Sequence, residues 1–197
     1  MTTEDTAAFI DGYGPDSLER ICFAWNQKHA AEFVDANDAF RQQVIAAVLS
    51  DPGKAGIDLI ADLFEAEARW SNEAGCVRRW FSKLASLLLV RGGEEQLDRF
   101  IEWVGVSMNT YCQCHAMEID PVTLARLISE VHRRRKKVAN VRERAGLEMV
   151  RVLFAKLKSD NPMEGMLLFD PSQRGRARGG SKTALWFEKV LRLFRIK

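Results

Sequence analysis

Apolar side chains recur at three- and four-residue intervals along most of this chain, and no stretch keeps the strict alternation of a half-buried strand. Leu18, Ile21, Cys22, Trp25 and Phe33 fall on one such stripe, behind a capping-box-like Asp16-Ser17-Leu18-Glu19. Asn37 and Asp38 offer a second helix start, with Phe40, Val44, Ala47 and Val48 behind it and Asp51-Pro52-Gly53 as its stop. Ile57, Ile60, Leu63 and Phe64 predict a third helix. A fourth, capped by Ser71 or Asn72, carries Val77, Trp80, Phe81, Leu84, Leu87 and Leu88 up to Gly92-Gly93. A fifth runs through Leu97, Phe100, Ile101, Val104, Met108, Tyr111 and Cys112.

Asp120-Pro121 is a strong restart, with Asp as N-cap and Pro at the first helical position, followed by Leu124, Leu127, Ile128 and Val131. Residues 121–158 hold apolar or small side chains at seven-residue spacing, but Arg134 and Glu148 occupy the partner positions of that heptad. The spacing therefore favours two helices broken near 137–140, the second capped at Asn140-Val141-Arg142-Glu143. Asn161-Pro162 ends the helical body. Residues 170–180 read as a mobile loop, and Ser181 caps a last amphipathic helix.

The predicted fold is all-α, with seven to eight amphipathic helices arranged as a bundle or a short HEAT-like stack. Residues 1–14 are expected to be disordered or loosely docked, 15–160 to form the helical domain, 161–180 a Gly/Arg-rich loop and 181–197 a basic C-terminal helix. An apolar share of 47% is enough for a real core. The most apolar run, Leu84 to Val90 with one Ser, is far short of a bilayer span, and the polar N-terminus lacks a secretory pattern. These features point to the cytoplasm, to free thiols at Cys22, Cys76, Cys112 and Cys114, and away from the membrane.

Charge changes the picture. Residues 1–120 hold 20 Asp/Glu and 10 Lys/Arg, a net of −10, whereas residues 121–197 hold 7 and 19, a net of +12. Such segregation points to an interaction, most simply between the basic third and a polyanion. The run Arg133, Arg134, Arg135, Lys136, Lys137 is its densest part. Arg174, Arg176 and Arg178 sit among glycines, as in arginine–glycine segments that track a phosphate chain without folding. Lys182, Lys189, Arg192 and Arg195 add cations on the last helix, beside an apolar side of Trp186, Phe187, Val190, Leu191 and Phe194. These residues are expected to neutralise phosphates of a nucleic acid, without reading bases. The acidic helical body is expected to meet a protein partner or a second copy. The alternative is a protein-interaction module, such as an inhibitor, immunity or regulatory protein, that binds no nucleic acid.

Candidate chemistry is sparse. Cys112-Gln113-Cys114-His115, with Cys76 or His132, supplies zinc-type ligands, but Cys-x-Cys fits no common finger. Gly175 and Gly180 precede Ser181-Lys182-Thr183, yet the lysine does not follow the glycine directly as a phosphate-cradling loop requires. No cofactor is implied, and the chain reads as a non-enzyme. One motif points the other way. Arg126-Leu-Ile-Ser-Glu-Val-His132 resembles the Arg-x5-His motif of HEPN-type ribonucleases, although Leu127 stands where that family is usually polar. That resemblance implies an all-helical RNA-cleaving protein in which Arg126 and His132 act across a dimer.

Overall fold

The computed structural model describes residues 3–158. Among them the chain forms eight α-helices joined by turns of 3-10 helix. They are α1 (Thr3–Asp11), α2 (Asp38–Ser50), α3 (Ile57–Ala74), α4 (Phe81–Gly92), α5 (Leu97–Val104), α6 (Met108–Gln113), α7 (Pro121–Lys137) and α8 (Val141–Lys158). The all-α architecture read from the periodicity, a bundle or short stack of helices, is the one observed among the described residues. No described helix is long and apolar enough to cross a membrane.

Helix α3 is the axis of the core. Leu59, Ile60, Leu63 and Phe64 are fully buried, and α4, α5, α6 and α2 pack around them. Four phenylalanines tie the layers together. Phe64 stacks on Phe81 of α4 at 4.8 Å and on Phe100 of α5 at 5.8 Å, and Phe100 stacks on Phe154 of α8 at 6.0 Å. All four are buried, each adding roughly 2 kcal/mol from area removed from water. α3 ends where Gly75 takes the left-handed conformation (φ 68°), which glycine adopts without a Cβ penalty.

Several boundaries differ from the sequence reading, each for a physical reason. The N-terminal segment is not loosely docked. α1 packs on α2 and buries Phe9, whose ring meets Phe40 edge-on at 4.9 Å. The stripe from Leu18 to Phe33 is not a helix. Pro15–Arg20 forms a 3-10 turn, Leu18 is exposed, and residues 21–37 make an irregular loop closed by a bridge between Trp25 and Asp35. Ser71 does not cap α4 but is buried inside α3, which continues to Ala74. The expected fifth helix is two, because Ser107 starts α6 with a capping box: its hydroxyl accepts from the Thr110 N–H while Thr110 Oγ1 accepts from the Ser107 N–H.

The C-terminal helices follow the sequence closely. Asp120 Oδ1 accepts from the N–H groups of Val122 and Thr123, and Pro121 opens α7. The break near 137–140 is present: Val138 is extended, and Asn140 Oδ1 accepts from Arg142 N and Glu143 N to start α8. α7 and α8 fold back on each other along their length. The expected loop 161–180 and helix 181–197 lie outside the described residues.

Candidate nucleic-acid interface

The basic run occupies the last turn of α7, where cations complement the carbonyl end of the helix dipole. Three of the five are held by carboxylates. Arg133 donates through Nε and Nη2 to Glu130 at 2.6 and 2.5 Å. Arg134 donates from Nε to the same carboxylate at 2.6 Å, from Nη1 to Asp98 at 2.5 Å, and from Nη2 to the Glu94 carbonyl at 2.9 Å. Arg135 Nη2 lies 2.7 Å from Glu148 Oε2 on α8, and Arg151 donates twice to the other oxygen of that carboxylate. Lys136 and Lys137 extend beyond this network and are exposed. The hydrogen bonds from Arg133, and then those from Arg134, pull the Glu130 carboxyl down to about 2.

These pairs do not cancel the segment's charge. Residues 121–158 hold 11 Lys/Arg against 3 Asp/Glu. Arg133, Arg135 and Arg151 pair with carboxylates of the segment itself, and Arg134 also reaches Asp98 in the acidic half of the chain. The pairing fixes the guanidinium groups in place over the buried Glu130 carboxylate and the half-buried Glu148.

Two open grooves flank α7. One, of about 600 Å³, runs beside the turn Gly93–Gln96 and holds Ala125, Arg126, Arg133 and the carboxylates of Glu94 and Glu130. The other, of about 340 Å³, lies between α7 and α8 and is lined by Ile128, His132, Arg151, Ala155 and Lys158. Arg126 therefore opens onto the first groove and His132 onto the second. Six residues of α-helix separate them by about 120° around the axis, so α7 keeps the two residues of the ribonuclease-like motif apart within one chain.

The cysteine-rich turn is a packing feature. Cys114 is fully buried, and burial pushes its thiol well above the usual range; burial also raises Cys112. His115 packs edge-on to Tyr111 at 5.2 Å, and burial, then Lys156, brings its pKa down to about 4. All four cysteines are free thiols, and no group of three His, Cys, Asp or Glu among the described residues is gathered to hold a metal. Arg174, Arg176, Arg178, Lys182, Lys189, Arg192 and Arg195 lie outside the described residues.

The acidic body carries a feature that the helical periodicity obscured. Arg41, on the buried face of α2, has no exposed side-chain surface and bonds to Asp35 (2.6 Å), Glu67 (2.9 Å) and Asp38 (3.2 Å). Its Nη1 also donates to the carbonyls of Ile21 and Cys22, which pins the loop 21–37 at its base. Glu67 is shared with Arg78 and with Trp80 Nε1. Above this anchor Phe23 stacks on Trp25 at 6.2 Å and on Phe33 at 6.3 Å, and Phe33 meets Trp70 edge-on. These four rings are half-buried. The loop tip holds Gln27 (φ 60°) and Ala30 (φ 55°) in the left-handed region, a strained arrangement for residues with a Cβ. The signal available in the sequence was Arg41 itself, a charge spaced three residues before Val44 on an apolar stripe.

Compared with family models, curated proteins and solved structures, the chain matches none of them. Among the described residues, fold and surface together define an all-α arrangement that closes on a basic helical hairpin, α7–α8. A loop held at its base by Arg41 and bearing aromatic rings lies on its acidic part.

Proposed function

We propose that this protein is a non-enzymatic helical adapter of the cytoplasm. Its α7–α8 hairpin, with the cations of the C-terminal residues, holds an anionic partner, and nucleic acid is the partner that fits best. The observation that carries this reading is the composition of the hairpin, 11 Lys/Arg against 3 Asp/Glu, in which Arg133, Arg135 and Arg151 pair with carboxylates of the hairpin itself and Arg134 also reaches Asp98 of the acidic half. Arg133, Arg134 and Arg135 are preset in direction by their carboxylates, and Lys136 and Lys137 are free to follow phosphates. Arg174, Arg176, Arg178, Lys182, Lys189, Arg192 and Arg195 extend the same role, which is phosphate neutralisation.

The aromatic loop supports a second surface on the acidic body, for a protein partner. Half-buried Trp and Phe on a pinned loop supply the contact area that interface hot spots use. It equally favours the alternative, an inhibitor, immunity or regulatory protein that binds no nucleic acid.

Fluorescence anisotropy with labelled DNA and RNA, from low to high salt, separates the two. The adapter reading expects binding whose log–log salt slope is steep, losing roughly 0.9 per neutralised phosphate on a duplex. Absence of binding at low salt eliminates nucleic acid and leaves the aromatic loop as the functional surface.

A further inference from the structure

Within the nucleic-acid reading, on which this inference rests, we infer that the groove between α7 and α8 is the seat for an unpaired strand. The groove is an aligned pair of stripes. Ile128, His132 and Arg135 follow one another on α7, and Glu148, Arg151, Ala155 and Lys158 on α8. It is lined by Ile128 and Ala155, which give it an apolar surface, and by His132, Arg151 and Lys158. Arg151 uses Nε and Nη2 to hold Glu148 at 3.0 and 2.6 Å, which fixes the guanidinium and leaves Nη1 for a ligand. The Glu148 charge is offset on both sides, by Arg151 and by Arg135 at 2.7 Å, so the groove is not repulsive to anions.

The apolar lining separates an unpaired strand from a duplex. A duplex turns phosphates and sugars outward and keeps its base faces stacked, so it would use the cations and leave Ile128 and Ala155 uncovered. An unpaired nucleotide lays a base or sugar face on an apolar surface while its phosphate meets the flanking cations. Arg151 and Lys158 lie seven residues apart on α8, about 10 Å along the axis, a span that successive phosphates of one strand cover. The groove on the other side of α7 is unsuited to this role. Glu94 and Glu130 line it, and Arg133 spends both of its inward donors on Glu130.

The test compares two variants of equal charge on opposite sides of α7 and α8. Ala155→Glu puts a carboxylate into the lining of the groove, and Ala125→Glu puts one into the other groove. Both positions are exposed on helices, where Glu is well tolerated, and circular dichroism checks the fold. The probes are labelled oligo-dT of roughly a dozen nucleotides and the same strand annealed to oligo-dA. We expect the full chain to prefer the single strand. Ala155→Glu should weaken it at least about tenfold at low salt, and Ala125→Glu by about twofold. Lys158→Gln should lower the salt slope by up to roughly 0.7. Equal losses from the two glutamates, or equal affinity for single strand and duplex, overturn the groove while leaving the nucleic-acid reading intact. No binding to either probe overturns both.

Discussion

Arg41 Nε lies 2.9 Å from Glu67 Oε1, and neither side chain is more than 1% exposed. A charge buried this deeply is tolerated only because Asp35, Asp38 and Glu67 surround it, and removing it strands those carboxylates. Arg41→Met should therefore cost about 3–5 kcal/mol, read as a lower urea midpoint. Because Arg41 also holds the carbonyls of Ile21 and Cys22, the variant should show faster amide exchange across the aromatic loop than elsewhere.

At the tip of the same loop, Ala30 holds a φ of 55°, where a Cβ is unfavourable. Ala30→Gly should relieve that strain and raise stability by up to about 1 kcal/mol, the gain being reduced by the greater freedom of glycine in the unfolded chain. Ala30→Val should lower stability, because a β-branched side chain fits that region worse. Paired denaturant titrations decide the order.

Glu130 is held at about 2 by Arg133 and Arg134, against an ordinary 4.5. A depressed carboxylate adds stability that is complete above its unfolded pKa and is lost as pH falls through the folded value. The protein should thus lose this contribution between about pH 4.5 and pH 2. Glu130→Gln should flatten the stability profile across that window and leave its slope near neutrality unchanged.

His115 gives a separate acid signature. Burial, and then Lys156, lower its pKa from 6.5 to about 4, so the neutral ring is the form the fold accepts. Its contribution is present above pH 6.5 and disappears as pH drops toward 4. Ring-proton NMR should show His115 titrating well below an exposed histidine, and His115→Phe should remove the stability loss between those two values.

Much of this fold is written in its punctuation. Asp120-Pro121, Asn140 and Asp51-Pro52-Gly53 mark helix ends because a cap or a ring acts on its own few residues, without help from packing. The loop 21–37 escaped that kind of reading. Ile21, Trp25 and Phe33 fall at helical spacing, yet the segment is organised by Arg41 and Asp35, and such long-range bonds leave no local period. Ser71 was equally ambiguous, since a serine that caps one helix and a serine buried inside another look alike in a sequence. In the candidate interface, the cations of α7 and α8 were visible as composition. That Arg126 and His132 open onto different grooves, and that Glu148 serves both Arg135 and Arg151, depends on how the two helices face each other.

The break at Val138–Asn140 also sets a linear charge density. Drawn out as one rod, residues 121–158 would spread their 11 Lys/Arg over about 57 Å, one per roughly 5 Å. Folded back on itself the segment is about 27 Å long and carries one cation per roughly 2.5 Å. Duplex DNA bears one negative charge per about 1.7 Å of axis, so three non-helical residues bring the protein's charge spacing close to that of a polyanion.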